Sequence, residues 1–419
     1  MSKQISTLSM SRCATSKICS DLSNSIICEL PIDVLHRILD LIPIKHVVRT
    51  SILSKHWRQL WSTQPNLVFD PLFFQYVSNI RDSAPSIIHK IIMKHIGPIL
   101  GFHLISKTDS FAQSDVDQFI IFVSNHGIQK LTLDMANNEK YVLPDSIFTC
   151  ATLTHLKLSR CFFKLPVGTK FPYLVSLQLE NSTIDSPVGS NIISLVLPML
   201  ETLELTCCAD VDCVDLVCPK LVSLSILSSY RVTFECFNVN PIFTVIKHLC
   251  LDGSSLKNLG SYHVPDRLDV SLTLQSLRIC DLKISVKRII CALCLLRNSP
   301  NLIELDIDEV VKVDETICHS EELFDYLSKA ENQVNEALGM IQTVRLRKFK
   351  GTTTEMYLIQ VILAHSPKLE RMIIEQCKKS HSTNGPKLRS NLLQFSNWYQ
   401  SKRLTTPWKD LENSCSSKS

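Results

Sequence analysis

Glycine is scarce in this chain, at 10 of 419 residues. Phosphate-binding loops are built from glycine, because their backbone N–H groups must approach the ligand closely. No such loop occurs here, nor a G-x-S-x-G elbow or an H-E-x-x-H pair, so a nucleotide site and the common hydrolase sites are not expected. Charge of one sign is lacking as well: Lys+Arg 44 against Asp+Glu 40 leave +4, and it is dispersed. That excludes the basic surface of a nucleic-acid binder. No run of about 18 apolar residues exists, so no membrane span is expected. The first 25 residues are Ser-rich with one acid, Asp21, and lack the apolar core of a secretory signal. Lys3, Arg12 and Lys17 would suit a transit peptide, but a disordered tail is the plainer reading. Cysteine, by contrast, is plentiful. Without a signal, the 17 residues are most economically reduced thiols of the cytoplasm or nucleus, used as small buried apolar side chains. Zinc spacing is missing: the lone C-x-x-C, Cys291/Cys294, sits in the helix-like run "RIICALCLLR", and Cys208, Cys213 and Cys218 have no fourth ligand. No metal and no cofactor is expected, and no catalytic residue is assigned.

A chain of this length suggests a small module beside a large one. The small one is "ELPIDVLHRILDLIPIKHVVRTSILSKHWRQLW", from Glu29 to Trp61. Pro31 suits a helix start, Leu35, Ile38, Leu39 and Ile42 repeat at helical spacing, and Val34 and Leu41 add apolar surface beside that stripe. Pro43 ends the helix. A second helix fits Lys45 to Ile52, and a third begins near Ser54 with Trp57, Leu60 and Trp61 on one face. Three helices in fewer than about 40 residues are marginal as an independent fold. They hold more apolar surface than their own core can enclose. The surplus either docks a partner or packs on the rest of the chain; spacing alone leaves both open.

The same segment resembles an F-box. The carriers are Leu30-Pro31, Asp33-Val34-Leu35, Ile38-Leu39, Pro43, Val48-Arg49-Thr50-Ser51, Leu53-Ser54-Lys55, Trp57-Arg58 and Leu60-Trp61, followed by "STQPNLVFD", which resembles the exit segment of plant F-box proteins. The match departs at the front, where "SNSIICELP" replaces the usual Asp-Arg-Ile-Ser lead-in. The resemblance implies docking of a small Skp-type adaptor, and through it cullin and RING subunits. The implied contacts are Leu30, Pro31, Val34, Leu35, Ile38, Leu41, Val48, Leu53, Trp57 and Trp61.

From about residue 125 the chain repeats itself on an apolar-x-x-apolar-x-apolar template, from Ile128/Leu131/Leu133 to Leu369/Met372/Ile374. Steps between third anchors are mostly 21 to 28 residues, the leucine-rich-repeat period, and a weaker copy fits Ile99/Phe102/Leu104. In a strand, the residues alternating with the anchors point the other way. Of those thirty, all but Leu227, Cys250, Cys280 and Ile373 are polar or charged, which predicts an open concave face rather than a sheet covered on both sides. Glu304, Asp306 and Asp308 form an acidic patch on it, with Arg345, Arg347 and Arg371 a basic one alongside; these six are the candidate substrate contacts. A solvated or self-paired face is the alternative. Such repeats also place Cys in the turn after the strand, which accounts for Cys161 and Cys208.

A 39-residue step contains an insertion, "SEELFDYLSKAENQVNEALG", that reads as a capped helix with Leu323, Leu327, Val334 and Leu338 on one face. The next stretch, Ile341 to Glu375, resembles the FBD segment of plant F-box/leucine-rich-repeat proteins through Val344, Leu346, Phe349-Lys350-Gly351, Glu355, Ile362-Leu363 and Leu369-Glu370. It lacks the family's common Cys before the first strand. Leu388, Leu392, Phe395 and Tyr399 fit a capping helix. The expected class is α/β: a three-helix F-box, then a leucine-rich-repeat solenoid with a curved parallel sheet and an irregular or helical convex side. Its parts are a tail over 1–25, the F-box over 26–70, repeats over 71–338, FBD-like repeats over 339–376, and a cap helix and tail over 377–419. The function this implies is substrate recognition for a cullin–RING ubiquitin ligase; the alternative is a ligase-independent scaffold or sensor.

Overall fold

The computed structural model describes residues 30–42, 46, 55–80, 82–106, 111–135, 141–164, 171–185, 192–208, 213–227, 241–259, 268–283, 286–311, 331–350 and 352–376. The chain divides into two compact units, Met1–Phe162 and Phe163–Ser419. Pro43, Val48, Leu53, Gly351, the helix expected over Lys45–Ile52 apart from His46, the first part of the insertion helix and the C-terminal cap helix lie outside the described residues.

The first unit opens with helices α1 (Ile32–Asp40) and α2 (Lys55–Ser62). Pro31 precedes α1 with φ −54°, a value its ring enforces. Leu35 and Leu39 turn inward, against Leu60 and Trp61, which are also buried. Strand β1 (Asn66–Phe69) follows directly, so sheet pairing begins ahead of residue 71. Asp70 then caps α3 (Pro71–Val77) by accepting from the Phe73 N–H at 2.9 Å. Next come α4 (Ala84–Met93), β2 (Gly101–Ser106), α5 (Gln113–Ser124), β3 (Lys130–Met135), β4 (Tyr141–Val142), β5 (His155–Ser159) and β6 (Cys161–Lys164). Strands β1, β2, β3 and β5 pair in that order, all parallel and in register. A helix lies between β1 and β2 and between β2 and β3, as parallel connections favour. Phe73 of α3 and Phe119 of α5 reach Phe69 and Phe102 of the sheet, with ring centroids 5.0 Å (Phe69–Phe73), 5.7 Å (Phe69–Phe102) and 6.4 Å (Phe102–Phe119) apart.

The second unit contains β7 (Ser176–Glu180), β8 (Thr183–Asp185), β9 (Ile192–Val196), β10 (Thr202–Thr206), β11 (Cys213–Val217), β12 (Ser223–Leu227), β13 (His248–Asp252), α6 (Gly253–Leu259), β14 (Ser276–Lys283), α7 (Val286–Arg297), β15 (Glu304–Val311), α8 (Glu331–Leu338), β16 (Thr343–Phe349), α9 (Thr353–His365) and β17 (Arg371–Gln376). Its sheet runs β7-β10-β12-β13-β14-β15-β16-β17, every described pair parallel. Strands β9 and β11 form a separate parallel pair. Among the described residues, the short strands β8, β9 and β11 lie between the early strands of that sheet, whereas α7, α8 and α9 lie between the later ones.

Every anchor of the repeat template is buried, including Ile99, Phe102 and Leu104 of the weak copy. Most alternating residues are half-exposed or exposed; Ser159 and Asp252 are buried instead. Asp252 turns inward to cap α6, accepting from the N–H and hydroxyl of Ser255 at 2.8 Å. Just past the anchors of five repeats the chain takes the same form. Arg160, Asn181, Cys207, Asp281 and Lys348 all have φ between 47° and 59°, each two residues past a third anchor. This left-handed residue turns the chain sharply, and the side chain after it drops into the core. There Cys161 lies buried 3.4 Å from the Ser159 carbonyl, Ser182 donates to the Glu180 carbonyl at 2.9 Å, and Cys208 lies 3.6 Å from the Thr206 carbonyl. Burial pushes the Cys161 thiol up to about 12, as befits a structural cysteine. Cys291 and Cys294 are buried on α7.

Candidate interaction surfaces

The α1 helix is apolar on two sides. Leu35 and Leu39 fill the core, while Pro31, Val34, Ile38 and Leu41, spaced by three and four, line an outer strip. Val34 is 40% exposed, Ile38 38% and Leu41 85%. Ile42, Val68 and Leu72, also exposed, extend this surface along a groove of about 300 Å³. Of the predicted adaptor contacts, Pro31, Val34, Ile38 and Leu41 are thus exposed and Leu30 and Trp57 are half-buried. Leu35 and Trp61 are core residues of this unit, so they support the strip from beneath. Val48 and Leu53 lie outside the described residues.

A polar seam holds α1 to the first strand. The Gln64 amide donates to the His36 carbonyl at 3.2 Å and to the Asp40 carboxylate, while Asn66 donates to Asp40 at 3.0 Å. The Gln64 carbonyl takes up the His95 ring at 2.8 Å. Desolvation lowers the His95 pKa below its ordinary 6.5, against the hydrogen bond that favours charge. His103, on β2, is lowered by burial and by the Lys130 charge.

The second surface is the open face of the later strands. Register places Asp306 beside Arg345 and Asp308 beside Arg347. Arg347 reaches diagonally to Asp306, donating from Nε at 3.1 Å and from Nη2 at 2.8 Å. Arg278, from β14, donates to Asp308 at 2.8 Å, and Lys348 approaches its other oxygen at 3.4 Å. Burial raises the Asp308 pKa, but the Arg278 hydrogen bond and the Lys348 charge outweigh it and hold the carboxyl below the usual range. Arg345 stands 3.9 Å from Asp306, and its Nε has no hydrogen-bond partner among the described residues. The predicted acidic and basic patches are therefore one cluster, in which four cations (Arg278, Arg345, Arg347, Lys348) face two anions (Asp306, Asp308). Glu304 and Arg371 are exposed at its margin, on either side of Thr343. Sequence reasoning missed Arg278 and Lys348 as members. Arg278 was legible as an alternating residue one repeat upstream; Lys348 was not, because only the left-handed turn brings it back to Asp308.

Behind the sheet, α7, α8 and α9 leave an apolar cavity of about 60 Å³, lined by residues such as Ile279, Leu293 and Ile362. That is far below the size of a ligand pocket. No helix among the described residues is long and apolar enough to cross a membrane.

An exposed apolar strip on α1 and an open charged face on the later parallel strands are the two candidate interaction surfaces. Comparison with known proteins shows what the two segments resemble. Residues 27–69 match the F-box domain, and residues 116–252 match the repeats described as "FBD-associated F-box protein At5g56370, LRR repeats". In these two segments the chain is similar to F-box proteins and to the leucine-rich repeats of FBD-associated F-box proteins. It is 35% identical over 190 residues to F-box/FBD/LRR-repeat protein At1g13570 of Arabidopsis thaliana, covering 44% of each chain. It is 33% identical over 193 residues to F-box/LRR-repeat protein At5g02910 of the same plant, covering 44% of this chain and 39% of that one. The matched part thus spans less than half the length of these two relatives. A longer match, to F-box/FBD/LRR-repeat protein At4g00160 of Arabidopsis thaliana, is 26% identical over 378 residues, 86% of this chain and 74% of the other.

Proposed function

We propose that this protein is the substrate-recognition subunit of an SCF-type cullin–RING E3 ubiquitin ligase. The outer strip of α1 docks a Skp-type adaptor, and the open face of the repeats holds a target protein near a ubiquitin-charged enzyme. The chain itself is non-catalytic; rate comes from proximity. It works in the cytoplasm or nucleus, where thiols are reduced at rest. The observation that carries this reading is the exposed row Val34, Ile38 and Leu41 within the F-box match, with Leu41 at 85% exposure. An apolar row so open to water is the mark of an interface.

The test replaces Val34 and Leu41 with Asp. Both side chains face outward, so the core of Leu35, Leu39, Leu60 and Trp61 is untouched. The expected result is loss of a plant Skp-type adaptor from a pull-down while thermal unfolding is unchanged. Adaptor binding that survives the double substitution would leave the ligase-independent scaffold as the better reading.

A further inference from the structure

Two of the four non-polar residues in the alternating set are cysteines, and they meet. Cys250 on β13 and Cys280 on β14 have their Sγ atoms 3.8 Å apart. Register pairs Cys250 with Arg278 and Asp252 with Cys280, so the two thiols are diagonal neighbours on adjacent strands. Both are half-exposed, unlike Cys161, Cys208, Cys218, Cys291 and Cys294, which are buried. Their surroundings are polar and carry both charges. Ser225 stands opposite Cys250 on β12, and the Arg278 guanidinium stands opposite it on β14. Asp306 and Asp308 face the pair from β15, where Arg278 already holds Asp308 at 2.8 Å.

We infer that Cys250 and Cys280 form a peroxide-reactive dithiol on the open face of the sheet, with Cys250 as the attacking sulfur and Cys280 as the resolving thiol. A thiolate, not a thiol, is the nucleophile, and cationic or donor-rich surroundings select which cysteine supplies it. The hydrogen bond from Cys280 lowers the Cys250 pKa most, helped by Ser225 and Arg278 against burial and the Asp306 charge; the same hydrogen bond raises Cys280. The Cys250 sulfur attacks one oxygen of a hydroperoxide. The O–O bond breaks, a sulfenic acid forms, and the other oxygen leaves as alkoxide or hydroxide and takes up the proton released from Cys250. Sulfur is oxidised by two electrons and the peroxide is reduced by two. Cys280 then attacks the Cys250 sulfur, the S–S bond forms, and the hydroxyl leaves as water with the Cys280 proton. In sum, two thiols and one hydroperoxide give one disulfide, one alcohol or water, and one water. Closure needs the sulfurs to approach from 3.8 Å to about 2.05 Å, through side-chain rotation and a local strand shift. The product lacks the two thiols that lay beside Arg278, so oxidation alters the surface next to the Asp306 cluster.

The experiment uses the full-length reduced chain with substoichiometric hydrogen peroxide, quenched with N-ethylmaleimide and digested without reductant for mass spectrometry. The expected product is a Cys250–Cys280 linked peptide, reversed by dithiothreitol and about tenfold or more ahead of any oxidation at Cys161, Cys218 or Cys291. In Cys280→Ser, dimedone should trap a sulfenic acid at Cys250; in Cys250→Ser, Cys280 should stay reduced. Arg278→Gln should slow Cys250 alkylation about threefold or more, with unchanged labelling of buried Cys161 and Cys291 showing that the fold is kept. Oxidation of exposed Cys207 at the rate of Cys250, absence of the linked peptide, or a sulfenic acid at Cys280 rather than Cys250 would overturn the assignment.

Discussion

At the scale of single residues, neighbouring arginines with the same alternation carry different loads. Arg347 makes three donor contacts to Asp306, whose side chain is only 15% exposed. Removing it strands a mostly buried carboxylate, so Arg347→Ala should cost about 1–2 kcal/mol in urea unfolding, at the low end for a charged hydrogen bond because the site is partly wet. Arg345 makes only a 3.9 Å contact and has an unused Nε donor. Arg345→Ala should therefore stay within about 0.5 kcal/mol while reducing capture of the target protein. Equal target capture by wild type and Arg345→Ala would mean that this face serves the fold alone. Histidines add a pH dependence to the first unit. The folded pKa values of His95 and His103 lie below 6.5, so the unfolded chain binds protons first as pH falls. Their contribution is complete above pH 6.5 and is lost as pH drops through the depressed folded values. The urea midpoint should fall between pH 7.5 and 5.5, and a His95→Asn/His103→Asn variant should show a shallower fall.

At the scale of the element, the strand is a two-sided object, and the sides answer differently to the same substitution. Val344 and Leu346 are buried while Arg345 between them is not. Leu346→Asp places an unpaired charge in the core and should cost about 3 kcal/mol or more, enough to expose β16 to proteolysis. That alternation is why the repeats were legible: burial imposes period two on every strand, and the sequence carries it from Ile128 to Ile374. The FBD-like strand, helix and strand were legible too, through Glu355, which caps α9 by pairing with Thr352. β1 was not. Its template positions are Gln64, Leu67 and Phe69, and the polar Gln64 fills the first anchor because its amide reaches His36 and Asp40. An anchor chosen to bond a neighbouring helix cannot be recognised by hydropathy. The Asp306 cluster was half legible for a related reason: alternation says which residues share a face, but not that Arg347 passes over its direct neighbour Asp308 to reach Asp306.

At the scale of the whole molecule, each strand of a sheet built from stacked repeats touches only its neighbours, so a disturbance at one end should fade within a few strands. The F-box helices are part of that stack rather than a detachable head. Leu35 and Leu39 share a core with Leu60 and Trp61, and Asp40 and the His36 carbonyl accept from the side-chain amides of Gln64 and Asn66 at the entrance to β1. Gly101 sits against this seam on β2, where a Cβ would lie 2.4 Å from the Asn66 Oδ1, so the neighbouring strand is fitted to it as well. Deleting residues up to 62 to abolish adaptor binding would therefore take away the His36 and Asp40 partners of Gln64 and remove all four of those core residues. Hydrogen exchange should then lose protection in β1 and β2, while β14 through β17 keep the protection of the full chain. Unchanged exchange in β1 and β2 would mean that the F-box helices are an independent module and that the seam adds nothing. The expected loss makes deletion a poor way to separate docking from recognition, because missing target protein could reflect frayed strands. Val34→Asp with Leu41→Asp leaves the seam and core intact, so it is the variant in which adaptor loss and target retention can be read independently.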